Sequence, residues 1–219
     1  GLVGSEMCIR DRYDLILHRH KDENLNRCSM QYAHELIARH VSGRLKVAPE
    51  HTSDRVLNLM RKPSFEQFGQ FKRIFDRVNA EEGLNQQLIP YFISSHPGCT
   101  EEDMAELAAI TKSLHFHLEQ VQDFTPTPMT LATEIYYTGY HPYTGEKVYT
   151  ARDAREKLGQ RKYFFWYLPE KRNDIQNSLK RMHRNDLAEK LYGNTPWRKP
   201  ARIVSEAKSR QKKKKPNNK

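Results

Sequence analysis

Three segments of this chain share one grammar, and that grammar restricts the fold more than any other feature. They occupy residues 44–54 (RLKVAPEHTSD), 88–100 (LIPYFISSHPGCT) and 116–126 (FHLEQVQDFTP). Each is a short apolar run that ends in a polar, proline-bearing cluster, and the first two lead directly into helical patterns. Strands alternating with helices, with polar clusters at the strand ends, are the layout in which α/β proteins present ligand-binding loops. Spacings of about 40 and 30 residues imply parallel strands joined by crossovers.

The flanking pattern fills in the elements. Residues 24–41 read as a helix with Leu25, Cys28, Tyr32, Leu36 and Ile37 near one face, stopped by Gly43. Residues 45–48 read as a strand. Thr52 or Ser53 then caps a helix that carries Val56, Leu57 and Met60 and that Pro63 closes. Ser64 and Gln67 have the spacing of a capping box, ahead of a helix burying Phe65, Phe68, Phe71, Ile74, Phe75 and Val78, with Gly83 as its stop. Pro90 interrupts the strand at 88–94 by removing one ladder donor. Thr100 and Asp103 open a helix whose acidic first turn suits the helix dipole. Residues 116–123 form the third strand, and 13–17 read as the end of another. Three strands cannot close a barrel, so residues 13–128 are expected to be the second half of a barrel-like sheet whose first half is missing. Beyond Pro126 the pattern changes. Residues 136–145 are aromatic and turn-rich, a helix starts near Thr150 or Asp153 and runs into 163–167, and another starts at Asn173 or Asp174, continues past Leu191 and ends at Gly193.

Composition narrows the classes. Of 219 residues, 37% are hydrophobic and 29% charged, and no run approaches the roughly 18–20 apolar residues of a membrane span. No secretory signal is visible, which makes the cytoplasm the expected location. Net charge is +10, but residues 207–219 hold seven positive charges and no negative one, so the body carries little excess. Residues 194–219 are expected to be a disordered basic tail able to touch nucleic-acid phosphates non-specifically. Residues 1–12 have neither helical nor strand periodicity and read as a foreign leader. Cys8, Cys28 and Cys99 stand 20 and 71 residues apart, which matches no zinc, disulfide or iron–sulfur motif. His18 with His20, and His115 with His117, lack a third ligand at a metal-binding spacing.

Strand alternation puts Leu45 and Val47 on one face and Lys46, Ala48 and Glu50 on the other. Likewise Phe116 and Leu118 oppose His117, Glu119, Val121 and Asp123. If the apolar sides meet the helices, Lys46, Glu50, His117, Glu119 and Asp123 face the concave side, where charge must be paired or used for binding.

The wording of the clusters resembles a known family. Residues 45–63 (LKVAPEHTSDRVLNLMRKP) are similar to the fourth strand and following helix of radical SAM enzymes, and residues 89–98 (IPYFISSHPG) to their fifth strand and loop. Residues 120–128 (QVQDFTPTP) and 136–139 (YYTG) resemble the next segments of the YgiQ family, an uncharacterised branch of that superfamily. The resemblance runs from about residue 12 to 193. It implies an α/β fold, a partial radical SAM (β/α) barrel of about strands 4–6 with their helices, followed by a mostly helical C-terminal extension at 129–193. It further implies a [4Fe–4S] cluster held by a CxxxCxxC loop and S-adenosylmethionine cleaved to a 5′-deoxyadenosyl radical that abstracts hydrogen from a substrate. A flavodoxin or ferredoxin would supply the electron.

Carried over by position, Glu50, His51 and Ser53 would meet the cofactor's ribose. Ser94, Ser95, His96, Pro97 and Gly98 would lie against its adenine-ribose region, with Gly98 permitting close backbone approach. Gln122, Asp123 and Phe124 would meet the adenine edge. Lys46, Tyr91 and Glu119 are substrate candidates. The chain departs from the family in having no CxxxCxxC, so the cluster cysteines are expected upstream and the chain by itself is expected to be inactive. An alternative reading is a nucleic-acid-binding module, resting on the basic tail, residues 161–167 and residues 180–184.

Overall fold

A computed structural model describes residues 13–193. Expectations about the leader at 1–12 and the basic tail at 194–219 lie outside the described residues.

A three-stranded parallel sheet organises the first part. Its strands are β1 (Arg44–Glu50), β2 (Gln87–Ser94) and β3 (Gln120–Asp123), in the order β1-β2-β3. Around them run α1 (Asp14–Leu17), α2 (Glu23–Glu35) with a π turn (Leu36–His40), α3 (Asp54–Leu59), α4 (Phe65–Glu81) and α5 (Glu101–Ser113). The second part is helical: α6 (Leu131–Thr138), α7 (Ala154–Arg161) with a 3₁₀ turn (Lys162–Phe165), α8 (Pro169–Arg181) and α9 (Asn185–Tyr192). The fold is thus mixed α/β with a small parallel sheet.

Leu45, Val47, Leu88 and Phe92 are buried against helices, whereas Lys46 is exposed and Ile89, Tyr91 and Ile93 are half-buried on the other face. Pro90 is accommodated because β3 pairs with β2 only from Tyr91 onward. Just beyond the Val47–Pro90 pair the β1–β2 register shifts, so that Glu50 meets Phe92.

Two apolar clusters hold the molecule. The first gathers Tyr13, Ile16, Ala33, Leu36 and Ile37 around Phe68, Phe71 and Phe75 of α4. The second joins Phe92 and the buried face of α5 (Met104, Leu107, Ala108) to Tyr163, Phe164, Ile175, Leu179, Leu187 and Leu191. Residues from the helical part therefore share a core with β2 and α5.

Several local expectations change. Residues 13–17 form a helical turn, not a strand end, because Tyr13 and Ile16 both reach the first cluster, a three-residue step that a strand cannot make. Leu25 and Tyr32 are exposed, and α2 buries Ala33 instead. Ser64 caps α4 through the Glu66 N–H, and Asp54, not Gln67, completes the arrangement by accepting from the Phe65 N–H and the Ser64 hydroxyl. The third strand begins only at Gln120, so alternation does not govern His117 and Glu119. His117 instead stacks on Tyr167, with ring centroids 4.8 Å apart. The YYTG segment ends a helix that Thr130 caps and Gly139 stops at φ 77°. Pro169 opens α8 at its first turn, and the helix expected to run to Leu191 breaks near His183, whose φ is 56°. By contrast, the helix expected to open at Thr100 and Asp103 does so, and the structure adds a full capping box there.

Candidate functional site

A cavity of about 460 Å³ opens at the carboxyl ends of the three strands. Its wall takes Glu50 from β1, Ile93 and His96 from β2 and its loop, and Gln122, Asp123 and Phe124 from the end of β3. Met60, Arg61 and Lys62 follow α3 onto one side, and Thr127, Thr130 and Leu131 close another. Glu50 and Ser95, at the ends of β1 and β2, are non-glycine residues in left-handed backbone, with φ 65° and 61°. Such conformations cost free energy and persist where the surrounding structure over-determines them. The Glu50 carboxylate lies 3.5 Å from the Lys62 ammonium.

His96 is 5% exposed, and its Nδ1 lies 2.9 Å from the Pro97 carbonyl. A carbonyl only accepts, so Nδ1 carries the proton and Nε2 is left as an acceptor. Burial lowers the pKa to about 4, which keeps the ring neutral. His96 and Phe124 meet in a T-shaped arrangement with ring centroids 5.0 Å apart, and Phe124 in turn lies 5.6 Å from Tyr136. The cavity therefore offers a neutral acceptor beside an aromatic face and a carboxylate, a set suited to a planar heterocycle bearing a sugar diol.

His51 has a different place. It is fully buried, its Nδ1 accepts from the Ser53 N–H at 3.0 Å, and its Nε2 faces the Cys99 thiol at 3.5 Å. With Nδ1 accepting, Nε2 holds the proton and donates to sulfur. Burial lowers the His51 pKa to about 4 and pushes the Cys99 thiol well up, so both groups are neutral. The pair ties the end of β1 to the loop after β2. Ser53 is the N-cap of α3 and hydrogen-bonds Asp103 with its side chain. Asp103 also accepts from Thr100 and Arg55, and these contacts hold its carboxyl below the usual range despite desolvation.

The close approach expected of Gly98 is real but is made to the protein. A Cβ there would sit 2.3 Å from Leu59 Cδ1, its φ is 84°, its carbonyl accepts from Arg55, and its N–H donates to the Tyr149 carbonyl. Ser94 is buried and donates to Asp123 Oδ1 at 2.5 Å. The other Asp123 oxygen accepts from Arg161 at 2.9 Å.

The loop after β2 is held from the helical part. Gln160, 1% exposed, accepts from the Ser95 N–H at 2.8 Å and donates to the Cys99 carbonyl at 2.7 Å. The next two residues also reach back: Arg161 to Asp123, and Lys162 to Glu101 at 3.0 Å in the first turn of α5. Three consecutive side chains thus hold the β2 loop, the end of β3 and the start of α5.

Of the residues singled out from sequence, Glu50, His96, Gln122, Asp123 and Phe124 share the cavity wall. His51, Ser94, Ser95, Pro97 and Gly98 are buried behind it, and Ser53 is half-buried at the start of α3. Tyr91 lies on the open sheet face and donates to Gln122 Oε1. Lys46 is exposed nearer the amino end of β1, and Glu119 pairs with Arg44 in the open at 2.6 Å, so neither lines the cavity. Gln160, Arg161, Met60 and Leu131 were not legible as site residues. The helix start near Thr150 or Asp153 placed the first two on a helix, which the structure caps with Asp153, but no local signal shows which of its side chains turn toward a loop about sixty residues away.

No group of three metal-ligating side chains occurs among the described residues, and no helix there is long and apolar enough to cross a membrane. The aromatic-basic segment at 161–167 is largely interior, with Lys162, Tyr163 and Phe164 buried. Arg184 is occupied by Glu102, Glu106 and Asp186. These residues therefore do not form the exposed stacking surface that the nucleic-acid alternative needs.

Comparison with known proteins gives a consistent picture. A UPF0313 protein of Bacteroides thetaiotaomicron is 70% identical over 182 residues, covering 83% of this chain and 29% of that protein. One from Porphyromonas gingivalis is 63% identical over 184 residues, covering 84% and 29%. One from Geobacter sulfurreducens is 48% identical over 162 residues, covering 74% and 27%. The chain belongs to the UPF0313 family. UPF0313 is the YgiQ family, which the strand-end clusters resemble. A domain of unknown function, DUF3362, matches residues 119–218 and so takes in the Gln160–Lys162 clamp. The chain spans about three-tenths of the length of the curated relatives it matches.

Proposed function

We propose that this chain supplies the strand-end wall of the S-adenosylmethionine pocket in a radical SAM enzyme of the UPF0313 family. The observation that carries the reading is the convergence of Glu50, His96, Gln122 and Phe124 on one cavity at the carboxyl ends of three parallel strands. Parallel α/β sheets bind ligands at that edge.

The residues fit the nucleoside part of the cofactor. Phe124 offers a face for stacking a purine, His96 Nε2 accepts from an exocyclic amine, and Glu50 accepts from a ribose diol. The buried His51–Cys99 pair and the Gln160 clamp keep the loop between them in one conformation, which lowers the ordering cost of binding. When bound, the cofactor supplies the hydrogen-abstracting chemistry of the superfamily, and the chain positions it and excludes water. The described residues do not fit the iron–sulfur cluster. Cys28 is exposed on α2, Cys99 is enclosed beside His51, and no ligand group surrounds either. No step through a cluster is assigned to this chain.

The test is anaerobic reconstitution of a full-length UPF0313 protein containing this sequence. It should hold about four iron and four sulfide and release 5′-deoxyadenosine when reduced with dithionite or a flavodoxin. Phe124→Ala and Glu50→Gln should each raise the KM for S-adenosylmethionine about tenfold, the loss of roughly one good contact. Absence of 5′-deoxyadenosine from iron-loaded protein, or unchanged KM in both variants, would overturn the reading.

A further inference from the structure

A second, larger cavity of about 790 Å³ lies on the helical part, lined by α7, the 3₁₀ turn and α8, with Glu101 of α5 at one side. It has the size of a small-molecule site. Beneath it lies a continuous polar network. Ser178 Oγ, fully buried, receives the Lys162 ammonium at 2.5 Å and the Arg181 guanidinium at 2.8 Å. The Ser178 hydroxyl also hydrogen-bonds Tyr163, and Tyr163 donates to Glu101 Oε1 at 3.2 Å.

Two cations therefore converge on one neutral oxygen. The Lys162 charge is compensated by Glu101 at 3.0 Å and Asp174 at 3.6 Å. Arg181 has no carboxylate partner among the described residues, and neither do Lys171 and Arg155, which line the same cavity. The remaining carboxylate of the wall, Glu156, is engaged by the Arg152 and Asp153 N–H groups and the Tyr149 hydroxyl. A concave, partly desolvated surface with three uncompensated cations and a fixed polar floor favours an anion with several acceptor oxygens.

We propose that this cavity binds a small phosphorylated molecule, its phosphate held by Arg181, Lys171 and Arg155. The site is built from the helical part and does not rest on the cofactor reading, since it needs neither cluster nor nucleoside. Guanidinium pairs with phosphate bidentately, which gives Arg181 and Arg155 the orienting role and Lys171 that of a point charge.

Pyrophosphate is the probe, titrated calorimetrically into the 219-residue protein at low ionic strength. Saturable binding should weaken about tenfold or more in the Lys171→Gln/Arg181→Gln double variant, the cost of losing charge-assisted hydrogen bonds. Arg155→Gln, on an exposed side chain, provides a variant that leaves the floor intact and should weaken binding several-fold. No saturable binding, or equal affinity in the variants, overturns the proposal. So does a single-stranded oligonucleotide that displaces pyrophosphate and binds the variants as well as the parent.

Discussion

The two cavities are built on opposite principles. The strand-end cavity draws its wall from residues 50 to 132, brought together by the sheet, and its shape is set by backbone: a register shift before Glu50, left-handed residues at 50 and 95, and a glycine pressed on Leu59. Its histidine is neutral and its polar groups are largely engaged. The helical cavity takes all of its wall except Glu101 from residues 149–181, and its character is set by side-chain charge. The lesson is that the first is vulnerable to changes in backbone geometry and buried polarity, and the second to changes in charge that leave the fold intact.

Acid should separate them most. His51 and His96 have folded-state pKa values near 4 against an ordinary 6.5, so the unfolded chain takes up protons first as pH falls. Their contribution is fully present above about pH 6.5 and is lost as pH falls toward 4, by up to about 3 kcal/mol for each histidine. Urea midpoints measured from pH 7.5 to 4.5 should fall accordingly, and less steeply in His96→Gln. A flat profile would remove the claim that the strand-end site is held by neutral histidines.

Gly98→Ala comes next, at about 2–4 kcal/mol, from a positive φ combined with contact on Leu59. Chemical denaturation measures it, and Gly83→Ala is the control, since its φ is also positive but the space beside it is open. Equal costs at the two positions would show that packing of the loop on α3 contributes nothing. Gln160→Ala should cost about 2–4 kcal/mol because it strands the Ser95 N–H and the Cys99 carbonyl in the interior. Amide exchange at Ser95 should accelerate, and unchanged protection there would break the link between the helical part and the strand-end site. Smallest is Leu158→Ser, on the wall of the helical cavity but 66% exposed, expected within about 0.5 kcal/mol of the parent by urea denaturation. A large loss there would show that this cavity too depends on packing.

Much of this was legible in the sequence because the relevant physics is local. The apolar steps of α4, the helix start at Thr100–Asp103 and the proline-bearing strand ends each depend on neighbours within a few residues, and each appears where the pattern places it. Carbonyl-end clusters on successive parallel strands must meet at one edge, so Glu50, His96 and Phe124 could be grouped before any coordinates. Failures came where local preference was outvoted. The alternation at 116–119 looks like strand, yet Phe116 and Leu118 pack into the clusters as irregular chain, and pairing starts only where β2 offers a partner. Tyr13 and Ile16 resemble strand residues but close over α4 as a helical turn.

What the sequence determined by itself is the order of elements from β1 to β3, the parallel sheet and the edge at which polar groups gather, because periodicity and capping act over one or two turns of chain. Tertiary structure decided which of those polar groups face a cavity and which are spent in the interior. His51 and His96 have the same residue type and comparable strand-end positions, yet one is enclosed against Cys99 and the other looks into the site. Packing of the loop between α3 and Gln160 makes that difference, and the free energy of burying or exposing a polar atom depends on surroundings that lie as much as 65 residues away.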